Sequence, residues 1–216
     1  MESQLSTILT LIRHGETKAN KEGLVLGTSD VPLTDLGKIQ AEAAARRAAM
    51  FRPKAVYCSP YFRAVESANY LQILTGLSPI RIAGLREMNS GNMEGIKASR
   101  MEELYSEYMA QWRSDATTTR PPGGETLGEV HNRAWKAFLK ITEERDNEHV
   151  IVVAHIFPIQ GIICRTLGLN SNQYNRIRVD LGSLSSVQFK GKSGIVLRVN
   201  NTSTSIQDAT LLVAIK

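Results

Sequence analysis

The chain has 216 residues, of which 42% are hydrophobic and 22% charged. Those proportions exclude wholesale disorder, and the length supports a core without disulfide or metal staples. Lys and Arg number 26 against 21 Asp and Glu, a formal charge of +5. The cations are scattered, so a solvated basic surface describes them better than a nucleic-acid patch. No apolar run reaches the roughly 18 residues of a membrane span, and Met1-Glu2-Ser3-Gln4 lacks the basic and apolar regions of a secretory signal. A cytoplasmic protein with no membrane or nucleic-acid partner is expected. Cys58 and Cys164 have neither the number nor the spacing of a disulfide framework or metal knuckle, in keeping with a reducing compartment.

Taken in order, Thr7 to Ile12 is a short apolar run rich in β-branched residues and reads as a buried parallel strand. Asp35 to Met50 is dense in Ala, with Thr34 as N-cap, and reads as a helix. Lys54 to Cys58 is a weaker strand. Ser59-Pro60 then offers a cap residue and a first-turn Pro for a helix over Tyr61 to Leu74. Pro79 to Ile82 is the weakest strand. Met101, Leu104, Tyr105, Tyr108, Met109 and Trp112 recur at i, i+3, i+4, i+7, i+8 and i+11, one apolar stripe of a single helix. After the Arg120 to Gly124 loop, Thr126 and Glu129 form a capping box for a helix with Leu127, Val130, Ala134, Phe138 and Ile141 turned inward. Val150 to Ala154 is a second buried strand. Leu184 to Phe189 and Ile195 to Val199 flank a Gly-containing turn and read as a hairpin. Asn200 to Lys216 fits no element.

With no composition break and no internal repeat, one domain over residues 1–216 is expected. Strands alternating with helices predict a three-layer α/β/α sandwich on a mostly parallel sheet, with a helical elaboration at about 96–122 over one edge.

In such sheets ligands sit beyond the carboxyl ends of the strands. Arg13 and His14 follow the first run, Ser59 and Arg63 the second, Glu87 the third, and His155 the fourth. Two guanidiniums, two imidazoles and a carboxyl at one rim suit a phosphoryl group. Arg presents a planar fork to phosphate oxygens, and His serves as nucleophile or proton carrier near neutral pH. Singly, each residue is better explained as an ion-pair partner or a hydrogen-bonded structural residue; together they point to a pocket. His131 and His149 read as structural. His149 and His155 lie about 20 Å apart along an extended strand, at roughly 3.3 Å per residue, so they cannot share a metal, and no metal site is expected.

Gly191-Lys192-Ser193 imitates the end of a phosphate loop, but Ser186 stands where the upstream glycine belongs, so it is read as a turn. The Asn200 and Asn201 glycosylation patterns have no function without a secretory route.

Five ordered motifs carry a family resemblance. These are Arg13-His14-Gly15-Glu16-Thr17 with Asn20 and Leu33-Thr34-Asp35-Leu36-Gly37; Ser59-Pro60-Tyr61-Phe62-Arg63-Ala64; Leu85-Arg86-Glu87 with Gly91, Glu94 and Gly95; Pro122-Gly123-Gly124-Glu125 with Arg133; and Val152-Val153-Ala154-His155. The chain resembles the histidine phosphatase superfamily, which includes the cofactor-dependent phosphoglycerate mutases. The resemblance implies a phosphoglycerate mutase-like fold with His14 as the nucleophile that forms a phosphohistidine and Glu87 as general acid and base. Arg13, Arg63, His155 and Asn20 would hold the phosphoryl group, with Thr28, Ser29 and the Ile156 amide as further contacts. Neither cofactor nor metal is implied. The implied partner is a small anionic phosphomonoester, met by a monomer or homodimer. One departure stands out: Ile156 and Phe157 follow His155, where many relatives carry a small residue, and a β-branched residue resists positive φ.

Hydrolysis and mutase chemistry share the phosphohistidine and differ in the acceptor. The short segment from Gly95 to Pro121 favours a phosphatase, leaving a phosphoglycerate mutase as the alternative and a non-catalytic phosphate-binding or phosphoprotein-regulating module below it.

Overall fold

The computed structural model describes residues 6–191 and 193–202. Among these residues six strands form one sheet: β1 (Thr7–Arg13), β2 (Ala55–Cys58), β3 (Ile80–Arg81), β4 (His149–Ala154), β5 (Leu184–Lys190) and β6 (Ser193–Asn201), in the order β3-β2-β4-β1-β5-β6. The first four run parallel, and the β5–β6 hairpin is antiparallel to β1. The sheet is therefore mixed and mostly parallel, as the alternating pattern predicts. Hairpin residue Gly191 takes φ 57°, a conformation open to glycine at little cost. The unplaced stretch from Asn200 begins by completing β6, and residues 203–216 lie outside the described ones.

The helices are α1 (Lys18–Glu22), α2 (Asp35–Ala49), α3 (Phe62–Thr75), α4 (Met101–Leu104), α5 (Ser106–Asp115), α6 (Leu127–Glu144) and α7 (Ile156–Thr166). Alternate residues of the parallel strands serve opposite faces. Leu9, Leu11, Tyr57, Val150 and Val152 join Ala134, Phe138, Ile159 and Ile163 of α6 and α7 in one core. Ile12, Val56, Cys58, Ile151 and Val153 join Ala44, Ala48, Ala64, Ala68 and Leu71 of α2 and α3 in the other. Burial on both faces is why these strands read as unbroken apolar runs. The α6 capping box forms as expected, and its five inward residues are all buried.

Two local expectations are corrected. The third helix begins at Phe62 with Tyr61 in the N-cap position and no cap from its own side chain. The Asp30 carboxylate accepts the Phe62 amide instead, a cap delivered from a distant loop. The apolar stripe from Met101 to Trp112 is not one helix. It breaks at Tyr105 (φ −138°, ψ 43°) into α4 and α5. Of its six large residues only Met101 is buried, and Leu104 is 45% exposed. The segment packs beside the residues that follow β4, with Trp112 meeting Phe157 and Tyr174 edge-on.

Among the described residues no helix is long and apolar enough to cross a membrane.

Candidate active site

β1 and β4 are neighbours in register, Arg13 opposite Ala154. The next residue of each, His14 and His155, therefore emerges at the same rim, with ring centroids 5.1 Å apart and planes inclined by 59°. The chain leaving β1 passes to β2 on the α2 side, and the chain leaving β4 passes to β5 by way of α7 on the other side. Connections parting to opposite faces open a crevice at the carboxyl ends of the two strands.

His14 is delivered by a close backbone contact. A Cβ on Gly15 would lie 2.0 Å from the Gly37 carbonyl oxygen, and one on Gly37 would lie 2.0 Å from the Glu16 carbonyl oxygen. Both positions need glycine because the turn after β1 lies directly on the first turn of α2. The His14 ring is 2% exposed, and its Nδ1 lies 2.7 Å from the Gly15 carbonyl. A carbonyl only accepts, so Nδ1 carries the proton and Nε2 keeps its lone pair. Burial, then the Arg63 and Arg13 charges, push the His14 pKa well below the ordinary value. The ring is thus neutral and nucleophilic at physiological pH.

Arg63, on the first turn of α3, is fully buried. Its Nη1 donates to the Ser29 carbonyl and its Nη2 to the Gly27 carbonyl, both at 2.9 Å. Arg13 donates from Nη1 to the Val179 carbonyl at 2.7 Å. Main-chain oxygens therefore fix both guanidiniums, leaving the Nε of each buried with no partner among the described residues. His155 is fully buried, with Nε2 2.7 Å from Ser59 Oγ, and its Nδ1 is likewise unpartnered. Buried unpaired nitrogens are rare in folded proteins. With the Arg63 and Arg13 charges acting on the His14 ring and the His155 ring 5.1 Å from it, these groups suit an anion with several acceptor oxygens.

Glu87 is 5% exposed and accepts its neighbour's amide, Met88 N to Oε1, at 2.9 Å. Burial raises its pKa, while that hydrogen bond and the charges of Arg63, Arg13 and Arg133 oppose the rise. The segment is held by Arg133 of α6, which donates to the carbonyls of Gly84 (2.9 Å), Arg86 (2.5 Å) and Glu87 (2.8 Å) and pairs with both oxygens of Glu125. Burial would raise the Glu125 pKa, but the Arg133 and Asn89 hydrogen bonds bring it below the ordinary value. The result is one buried acid with a raised pKa and, paired with the same arginine that holds its backbone, a second with a lowered one.

The remaining expected contacts differ in setting. Asn20 spends Oδ1 on the Thr17 amide and hydroxyl, as part of the α1 capping box, which leaves its Nδ2 for other use. Thr28 and Ser29 are exposed, and their amides and hydroxyls all bind the Glu94 carboxylate at 2.6 to 3.1 Å. Their clearest service is to hold the loop whose carbonyls fix Arg63. Ile156 resolves the departure after the last histidine. His155 is the N-cap residue of α7 (φ −127°, ψ 177°) and Ile156 opens the helix, so no positive φ is required there. Its amide is one of the first-turn donors that a helix leaves unpaired.

Sequence reasoning missed three supporting parts. Ser59, read as a helix cap, orients His155. Arg133 ties down the Glu87 backbone. Tyr61 meets His155 edge-on with ring centroids 5.6 Å apart, and its centroid lies 5.0 Å from the Arg63 guanidinium carbon. Only contacts between distant segments reveal these roles. The structural readings of His149 and His131 fit their settings: His149 bonds Thr10 and stacks on Phe51, and His131 is buried within α6. Among the described residues no three His, Cys, Asp or Glu are grouped to hold a metal ion.

The family model described as the histidine phosphatase superfamily, branch 1, matches residues 9–202. Phosphoserine phosphatase 1 of Hydrogenobacter thermophilus is 28% identical over 195 residues, spanning 90% of this chain and 92% of that protein. Adenosylcobalamin/alpha-ribazole phosphatase of Escherichia coli is 27% identical over 201 residues, spanning 93% and 99%. The solved structure of mycobacterial glucosyl-3-phosphoglycerate phosphatase in complex with VO3 superposes with a TM-score of 0.81 at 26% identity, covering 89% of this chain and 98% of that one.

Proposed function

The chain belongs to the histidine phosphatase superfamily, branch 1, and on that premise we propose that it hydrolyses a small phosphomonoester through a phosphohistidine on His14. The observation that carries the reading is the His14 Nδ1 contact with the Gly15 carbonyl, which reserves Nε2 for the phosphorus atom. Arg13, Arg63 and His155 surround the phosphoryl oxygens, with their unpaired nitrogens as donors and Asn20 Nδ2 and the Ile156 amide in support. Such fixed donors stabilise the charge that develops in transfer without reorganising.

In the first step the His14 Nε2–P bond forms and the ester P–O bond breaks, and Glu87 gives its proton to the departing alcohol oxygen. In the second, water attacks the phosphohistidine and loses a proton to the Glu87 carboxylate. The N–P bond breaks, leaving neutral His14 and inorganic phosphate. The raised Glu87 pKa suits an acid that must hold a proton in one step and accept one in the next.

Hydrolysis is favoured over mutase chemistry because relatives spanning nearly the whole chain are named phosphatases. The decisive experiment is phosphate release from p-nitrophenyl phosphate with chelator present. His14→Ala should lose essentially all activity while keeping the far-UV circular dichroism of the parent. Activity within about ten-fold of the parent, about 1.4 kcal/mol in the barrier, would remove His14 as nucleophile.

A further inference from the structure

A cavity of about 170 Å³ lies among residues contiguous in sequence with the catalytic groups, and its lining is apolar. Four methionines, Met88, Met93, Met101 and Met109, line it together with Trp112 and Phe157. Met88 is the residue whose amide holds the Glu87 carboxylate, and Phe157 follows His155 by two positions. A third wall residue, Val25, precedes by two the Gly27 carbonyl that fixes Arg63. The cavity is therefore built from the same segments that present the acid, the second imidazole and the buried guanidinium.

From this arrangement we infer that the cavity receives the leaving group of the ester, and that the preferred substrate is the phosphate of an apolar or aromatic alcohol about the size of one six-membered ring. The inference rests on the phosphatase reading above and narrows it. Size is the first argument: an apolar cavity of roughly 150 Å³ admits a single benzene ring. Charge is the second. Among the described residues that line it none is ionisable as an acid or base near neutral pH, and the polar side chains are Ser90, Tyr108 and the Trp112 indole. A phosphoglycerate or phosphoserine leaving group would carry a carboxylate into this lining without a cation to meet it, at the cost of its hydration. Adaptability is the third, since methionine side chains reshape easily around apolar guests of differing outline.

The wall made by Trp112 and Phe157 is pinned. The Trp112 indole N–H donates to the Tyr174 hydroxyl at 2.7 Å, and the Trp112, Phe157 and Tyr174 rings contact one another at 5.8 to 6.3 Å. Helix α5 is thereby fastened over the residues that follow β4.

The test compares kcat/KM for benzyl phosphate and ethyl phosphate, esters whose alcohols are similarly basic, on the full chain and on Met109→Glu and Met109→Leu. The parent should prefer the benzyl ester by about ten-fold or more, the scale on which an apolar pocket discriminates. Met109→Leu should keep that preference and Met109→Glu should bring the two esters to within about two-fold. A variant-independent measurement is competitive inhibition of the parent, in which benzylphosphonate should bind more tightly than ethylphosphonate. Equal kcat/KM for the two esters in the parent, or a preference that survives Met109→Glu, overturns the cavity assignment while leaving the phosphatase reading intact. Absence of turnover with both esters and with p-nitrophenyl phosphate overturns that reading, and the assignment with it.

Discussion

Ser59 Oγ lies 2.7 Å from His155 Nε2, and the contact leaves Nδ1 as the His155 ring nitrogen without a partner among the described residues. The Tyr61 amide also donates to Ser59 Oγ at 3.3 Å, which holds the hydroxyl against Nε2. Ser59 is in these terms a positioning residue that fixes the orientation of the His155 ring.

Replacing Ser59 with Ala frees the ring and is expected to lower kcat about ten-fold, the worth of one well-placed hydrogen bond. Thr at the same position should restore most of the rate. If Ser59→Ala and Ser59→Thr fall equally, lost packing rather than the hydroxyl is responsible.

Glu87 predicts a dependence on leaving group. An alkoxide needs the carboxyl proton, whereas p-nitrophenolate departs without one. Glu87→Gln should lose about 10²- to 10⁴-fold on an alkyl phosphate and far less on p-nitrophenyl phosphate. Because burial raises the Glu87 pKa, the protonated form persists to higher pH than for an ordinary carboxyl, and phosphorylation of His14 by alkyl esters should slow as pH rises through that value. Single-turnover rates against pH would measure it. Equal losses on the two ester types would contradict the acid role.

Gly37 lies 23 residues beyond His14 but packs on the turn that holds it. Gly37→Ala puts a methyl group 2.0 Å from the Glu16 carbonyl oxygen, and the backbone must shift to admit it. A loss of about 1 to 3 kcal/mol in unfolding free energy is expected from the overpacking, together with a lower kcat because His14 moves with the turn. Urea unfolding and p-nitrophenyl phosphate kinetics on the same variant would check both.

His131 should make the fold acid-sensitive. It is fully buried in α6, neither ring nitrogen has a partner among the described residues, and burial followed by the Arg165 charge pushes its pKa down to about 4. Below pH 6.5 the unfolded chain binds a proton that the folded chain refuses. Stability is therefore lost as pH falls from about 6.5 towards 4, reaching on the order of 3 kcal/mol at pH 4 for this one group. His131→Leu should flatten that part of the stability profile, measured by urea unfolding between pH 7 and pH 4. An unchanged slope would show that the ring titrates normally in the fold.

The parallel strands were legible because burial on both faces leaves β1 and β4 as unbroken apolar runs, and α6 because Thr126 and Glu129 close a local capping box. Arg13, His14 and His155 were legible for a related reason: they directly follow those runs, and a parallel sheet brings the ends of its strands to one rim. Local order failed where a distant segment settled the outcome. Helix α3 starts at Phe62 because Asp30 reaches its amide, and the stripe from Met101 to Trp112 breaks at Tyr105 and leaves most of its large side chains only part-buried.

By itself, then, the sequence determined which chemical groups stand at the strand ends, since that depends on neighbours along the chain. The tertiary structure alone decided their states. The lowered His14 pKa, the raised Glu87 pKa, the task of Ser59 and the apolar wall built by Met88, Met109 and Phe157 all depend on burial and on contacts between segments that are separate in sequence, Ser59 and His155 being 96 residues apart. Desolvation and hydrogen-bond geometry depend on separation in space, which the linear order of residues does not contain.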